Sequence, residues 1–291
     1  MDFRNAKELL KVCQEQGLSI SAVMLQRELT EGEQDPEETD RKMDRVLEIM
    51  KSAASTPIHT PVKSMGGLIG GEAKKISDHK DAGKGLCGDL LERAVIYAMA
   101  TLETNASMGV IVASPTAGSA GIVPGLLLAL QETYDLSDEQ IKQGLYNASA
   151  IGYLAMRNAT VAGAVGGCQA EVGIASAMAA SATVELMGGS PEQSLAAAST
   201  VLMNMLGLVC DPVGGLVEVP CVKRNVIGSV NALSAADMAL AGIISRIPPD
   251  QVIDAMREVG DQMHPSLRET GQGGLANTPA AREWCAAQEE E

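Results

Sequence analysis

The chain has almost no aromatic side chains. They make up 2 % of its 291 residues, with one Phe, one Trp and four Tyr. Its core therefore has to be built from Ala, Leu, Val, Ile and the 15 Met, small or unbranched side chains that favour helices and let them pack closely. Strand patterning is missing as well, since no stretch alternates apolar and polar residues long enough for a sheet. The two absences predict an all-α fold: a compact multi-helix domain with small-residue buried helices and glycine-rich loops. A length of 291 residues suffices for one large core or two domains.

Positive charge is scarce. Lys and Arg number 22 against 37 Asp and Glu, a formal charge of −15, which argues against nucleic acid or an anionic membrane as partner. Long apolar runs are absent too. The best candidate, residues 120–130, is short and broken by Pro124, and residues 1–12 are charged and amphipathic rather than a signal segment. A cytoplasmic location is expected, where the six cysteines are reduced or metal-bound rather than paired. The Gly-Lys-Ser/Thr ending of a phosphate loop is also missing, as is a Schiff-base lysine beside a phosphate-binding glycine loop.

Helical periodicity covers most of the rest. Residues 4–30 predict one or two short amphipathic helices, 31–40 an acidic solvated turn, and 40–53 a helix carrying Met43, Val46, Leu47 and Met50. Two prolines and several glycines predict an irregular segment over 55–72, where Gly66–Gly67 and Gly70–Gly71 either present backbone N–H groups to an anion or form a plain loop. Helices follow at 86–104, from about 123, and at 138–156 behind Ser137. A small-residue buried helix is expected within 161–187, one from Pro191 to about Leu206, one at 225–244 and one at 250–260, with 261–281 irregular. Residues 1–54 are expected as an N-terminal helical segment packed on a catalytic domain at 55–291, one structural domain overall.

Three cysteines stand out beside Gly or Pro: Cys168 in Gly-Gly-Cys-Gln-Ala-Glu-Val-Gly, and Cys210 and Cys221 within residues 206–225. Glycine admits close backbone approach and proline fixes a turn, which suits ligands better than packing. The Cys-x₂₋₄-Cys pairing of structural zinc is missing, and His59, His79 and His264 lie in separate segments. Spacing alone leaves open both a metal site and three inert buried thiols. A second feature is Ser-Pro-Thr-Ala-Gly-Ser-Ala-Gly at 114–121 just before a helix, either an anion seat or an ordinary cap.

These stretches, with Asp-Pro-Val-Gly-Gly-Leu-Val-Glu-Val-Pro-Cys-Val-Lys-Arg-Asn at 211–225, Gly-Gly-Leu-Ile-Gly-Gly at 66–71 and Leu-Arg-Glu-Thr-Gly-Gln-Gly-Gly-Leu-Ala at 267–276, resemble the alpha chain of bacterial iron–sulfur L-serine dehydratase over essentially the whole chain. The resemblance implies that Cys168, Cys210 and Cys221 hold a [4Fe–4S] cluster whose open iron acts as a Lewis acid on the hydroxyl of L-serine. A base takes the α-proton, water leaves, and the resulting aminoacrylate tautomerises to an imine that hydrolyses to pyruvate and ammonia. Ser64, Gly67, Ser114, Thr116 and Gly118 would seat the substrate carboxylate. Arg224 would balance charge near the cluster, or form a structural ion pair.

Two departures bear on this. The family's second domain carries a Ser-Ser-Ser-His-Thr segment whose histidine is associated with catalysis, and no such segment occurs here. The chain thus reads as one half of a split enzyme that needs a beta chain, a hetero-oligomer, with His59 and His264 as its own candidates for a base. Some relatives place a C-terminal cysteine on the open iron. Cys285 is the candidate fourth ligand, although six residues follow it. Cys13 and Cys87 match no motif and read as packing residues. L-Threonine stays open as a second substrate, and the alternative function is a non-catalytic cluster-binding subunit that regulates or senses oxygen.

Overall fold

The computed structural model describes residues 2–32 and 34–289, so Glu33 of the expected acidic turn lies outside the described residues. Thirteen α-helices occur among the described residues. They are α1 (Ala6–Gln16), α2 (Ile20–Thr30), α3 (Pro36–His59), α4 (Glu72–Asp81), α5 (Asp89–Ala106), α6 (Ile122–Tyr134) and α7 (Asp138–Asn158). The single turn α8 (Gly163–Gly166) follows, then α9 (Ile174–Leu186), α10 (Pro191–Met205), α11 (Cys221–Leu240), α12 (Pro249–Gln262) and α13 (Pro279–Glu289). No strand forms among the described residues; one isolated parallel bridge joins Cys210 to Arg268. The fold is all-α. Its helix starts are written in the sequence: Asn5, Ser19, Asp35, Ser137 and Ser190 each accept a backbone N–H of the first turn.

Helix α9 is the centre. Every residue from Ile174 to Val184 is buried, as expected of a helix with no solvent face. Helices α7, α10, α11 and α6 surround it, while α5 packs on α6, α3, α11 and α4. The lone Phe is spent at the N-terminus, where fully buried Phe3 meets the Tyr153 ring edge-on at 5.5 Å. Helix α3 runs across the boundary expected at residues 54 and 55.

The 4–30 stretch holds two short helices, within expectation. Three sequence expectations change. Helix α3 continues through Pro57 to His59 instead of ending near 53. Proline has no N–H for the carbonyl four residues back, but that carbonyl, on Ala53, accepts the Thr104 hydroxyl at 2.8 Å. Helix α11 begins at Cys221, four residues before its expected start. The region 261–281, expected to be irregular, contains two 3₁₀ turns, and α13 was not foreseen.

One buried carboxyl ties the segment that follows α3 to the core. Glu103 on α5 is 1 % exposed and accepts the Ala73 amide at the start of α4 at 2.9 Å. Burial pushes its carboxyl up to about 7, against the Ala73 N–H that favours the ionised form, with Glu72 adding to the rise. An unfolded glutamate titrates near about 4.3. The folded chain therefore holds the extra proton between these values, and the stability from the neutral carboxyl, full at low pH, is lost as pH rises to about 7. Glu103→Gln should match the wild type in Tm near about pH 5 and exceed it near about pH 8. A gap in Tm that does not widen with pH would show that Glu103 is ionised throughout.

Candidate metal centre

The cysteines lie on three adjoining pieces of backbone. Cys168 precedes a π-helical turn, Gln169–Gly173, that runs into α9, a feature that recurs at functional sites. Gly167 before it has φ 76°, and a Cβ there would lie 2.8 Å from the Leu208 carbonyl, so only glycine lets the Cys168 turn approach the segment leading to Cys210. The Gln169 amide donates to that Leu208 carbonyl at 3.0 Å, and the Gln169 side chain spans from Met256 O to the Gly207 amide, each at 2.9 Å. Cys210 pairs with the 267–269 stretch, its amide on Leu267 O at 2.9 Å and its carbonyl taking the Glu269 amide at 2.7 Å. Cys221 opens α11.

All three thiols are buried and none is in a disulfide. Cys168 Sγ, Cys210 Sγ and a Glu171 carboxylate oxygen lie within 4.8 Å of one another and can bind a metal ion; Cys221 stands outside that tight group. Its thiol is still close enough for Cys168 to act on it: burial, then the Cys168 charge, pushes it up to about 12. Cys168 is the thiol pushed down, first by the Cys210 hydrogen bond and, against burial, by Arg224. Cys210 is pushed up by the same bond and by burial. Arg224 donates to Cys168 Sγ at 3.5 Å and to Val209 O at 2.8 Å, and pairs with buried Asp211 at 2.8 Å.

The hydroxyl–glycine stretch joins the same place. Thr116 Oγ1 donates to Glu171 at 2.7 Å, and the other carboxylate oxygen of Glu171 lies 3.8 Å from Cys210 Sγ. Burial raises the Glu171 pKa. Asn225 clamps the turn from the α11 side, donating to Gly118 O at 2.8 Å and Cys221 O at 2.9 Å and accepting the Gly121 amide at 3.0 Å. The Ser114 hydroxyl is buried with no hydrogen-bond partner among the described residues, an orphan that an incoming ligand would satisfy. Ser64 is buried; its hydroxyl and the Gly66 and Leu68 amides donate to Glu218, and the Gly67 amide donates to Ser64 O.

The structure thus brings Cys168, Cys210 and Arg224 together, links Thr116 to Cys210 through Glu171, joins Gly118 to Cys221 through Asn225, and places Ser114 at the start of the same turn. The histidines make other contacts. His59, at the end of α3, lines a separate cleft of 690 Å³ with Lys80, Arg93 and Glu132. His264 is exposed, with Nδ1 2.8 Å from Ser266 Oγ. Cys285 on α13 packs near the 213–215 turn between Cys210 and Cys221, 3.7 Å from where a Gly214 Cβ would sit, and is not in the Cys168–Glu171–Cys210 group. Sequence reasoning missed Glu171, Asp211, Glu218 and Asn225. The available signal was a charged or amide side chain within an apolar, glycine-rich motif, which once buried must find partners.

The donor set fits a metal centre with soft ligands: two thiols and Glu171 lie together, Cys221 opens the neighbouring helix, and Cys168 already accepts an N–H. Gly163 borders this pocket: a Cβ there would lie 2.5 Å from Glu171 Oε2 and 3.0 Å from Cys210 Sγ. Gly163→Ala should lower the metal bound per chain, leave helical content intact and cost about 1–3 kcal/mol of stability from overpacking. Metal analysis beside thermal unfolding checks this, and undiminished metal binding would contradict the placement.

The family model described as serine dehydratase alpha chain matches residues 15–276. The probable L-serine dehydratase alpha chain of Bacillus subtilis is 53 % identical over 281 residues, covering 97 % of this chain and 93 % of its own. The L-serine dehydratase alpha chain of Peptoniphilus asaccharolyticus is 45 % identical over 276 residues, 95 % of this chain and 94 % of its own. The L-serine dehydratase of Haemophilus influenzae is 38 % identical over 280 residues, covering 94 % of this chain but only 61 % of its own, so a further stretch of that protein lies outside the match. The chain belongs to the serine dehydratase alpha chain family.

Proposed function

We propose that the chain is the alpha subunit of an iron–sulfur L-serine dehydratase, a lyase that converts L-serine to pyruvate and ammonia together with a beta chain. The observation that carries this is the junction at Glu171, where the cysteine site and the hydroxyl–glycine turn share one carboxylate. The names of the relatives supply the substrate. The two-fifths of the Haemophilus chain outside the match supports a separate partner for this one. Six free thiols agree with a reducing, cytoplasmic setting, and no helix among the described residues is long and apolar enough to cross a membrane.

In this reading Cys168, Cys210 and Cys221 hold a [4Fe–4S] cluster. When bound, it supplies a Lewis-acidic iron for the leaving hydroxyl. The chain's residues do the rest of the positioning. The free Ser114 hydroxyl and the Thr116–Gly118 turn, facing the N-terminal end of α6, take the substrate carboxylate. Glu171 holds the Thr116 hydroxyl in one direction. Arg224 places positive charge against Cys168 Sγ. We assign the Ser64–Gly67 loop to the edge of this seat. We assign the α-proton to a base on the beta chain, since His59 lines another cleft and His264 is engaged with Ser266; Cys285 remains the candidate for a fourth iron contact.

The test is anaerobic purification of the chain alone and with its beta chain. Expected are a broad visible absorption, about four irons per chain, and pyruvate from L-serine only with the partner. Cys168→Ala, Cys210→Ala and Cys221→Ala should each lose iron and lower pyruvate formation by at least about a hundredfold. An iron-free chain after careful anaerobic work would overturn the cluster. A cluster without pyruvate in every pairing would overturn the dehydratase role and favour the regulatory one.

A further inference from the structure

We propose that Glu218 is a positioning residue that locks the glycine loop 64–69 to the cysteine loop, so that one wall of the substrate seat and the metal centre move as one body. The proposal rests on the functional reading above for the word substrate, and on geometry for the lock itself.

Glu218 lies in the loop between Cys210 and Cys221 and is 2 % exposed. Its carboxylate takes three donors from one short segment: the Ser64 hydroxyl at 2.6 Å, the Gly66 amide at 2.7 Å and the Leu68 amide at 3.0 Å. Among the described residues no cation pairs with it, so these donors alone hold the charge. A buried carboxylate so placed depends on its donors, and the donors depend on it. Of the glycine amides, that of Gly66 meets this carboxylate, an anion of the chain's own.

Both ends of the lock are anchored. The Glu218 carbonyl accepts the Val222 amide at 3.1 Å, at the first turn of α11, and the Val219 carbonyl accepts the Val213 amide at 2.9 Å. A shift of Glu218 is thereby a shift of Cys221. On the other side, Ser64 Oγ lies 2.8 Å from Ile69 O, so its one proton is shared between that carbonyl and Glu218, and the Met65 amide donates to Ala106 O at the end of α5 at 2.8 Å. Contact is tight as well as polar: a Cβ on Gly66 would lie 2.4 Å from Leu216 Cδ1 and 3.0 Å from Glu218 Oε1. The carboxylate faces the loop rather than a reacting atom. Its role is to hold distance, and small misplacements of binding groups are costly.

Glu218→Gln turns an N–H₂ group toward the loop's own donors, which breaks the lock without changing the shape of the side chain. Gly66→Ala breaks it from the opposite side, and Glu218→Asp keeps the charge on a shorter arm. The variants are made in the anaerobic alpha–beta complex. Hydrogen exchange of the 64–69 amides is followed by mass spectrometry, with iron content, visible absorption, KM and kcat for L-serine. Expected for Glu218→Gln are exchange at least about tenfold faster in that segment, a raised KM, and iron and absorption unchanged. Glu218→Asp should fall between. Gly66→Ala with Glu218→Gln should do no more damage than the worse single change, since both remove one contact. Unchanged exchange with kcat lost would overturn the proposal and place Glu218 in the chemistry; additive effects of the two changes would overturn it too. If Glu218→Gln fails to fold, Gly66→Ala and Glu218→Asp carry the same measurement. Exchange needs no turnover, so a wild-type complex that makes no pyruvate would sink the serine reading and leave the lock to be decided on its own.

Discussion

Arg224 is the interaction on which the rest of the site depends. Its guanidinium, largely buried, meets Cys168 Sγ, the Val209 carbonyl and the Asp211 carboxylate at once. Asp211 in turn accepts the Leu275 amide at 2.7 Å. One cation therefore draws together the π-helical turn, the cysteine loop, the first turn of α11 and the C-terminal stretch. A buried pair of this kind adds little net stability, but removing one partner strands the other charge. The arrangement is thus specific rather than strong, and it keeps positive charge beside sulfur in a chain whose net charge is −15.

Such a polar centre can sit deep only because the helices around it are thin. A Cβ on Gly121 would meet the Ala98 carbonyl at 2.4 Å, and one on Gly228 would meet Ser176 Oγ at 2.7 Å. Close packing of α6 on α5 and of α11 on α9 leaves the loops, rather than large side chains, to fill the middle. Those loops bring backbone N–H and C=O groups that must be satisfied. Glu218 and Asn225 satisfy them, and Glu171 holds the Thr116 hydroxyl, which is why charged and amide side chains are buried in so apolar a chain.

The helices were legible because their signals are local. Caps at Ser137 and Ser190, Pro191 in a first turn and apolar residues at helical spacing are all read within a few residues. The misreadings were equally local in origin. Pro57 looks like a helix end until Thr104, on another helix, takes the orphaned carbonyl. The 66–71 glycines look like an open anion seat until Glu218, about 150 residues on, fills part of it. The cysteines were singled out by the glycines and proline beside them, whereas Glu171 and Asp211, close by in the same motifs, carried no spacing rule that would distinguish a site carboxylate from a solvated one.

The sequence by itself determined the all-α class, the helix starts, the small-residue core and the three cysteines, since each depends on propensity, period or a neighbour in the chain. Only the tertiary structure decided which donors remain free and which are consumed within the protein: Ser114 is left unpartnered, while Ser64 is committed to Glu218. The physical reason is that a buried polar group is defined by its partners, and here those partners come from segments that approach one another only when the helices pack.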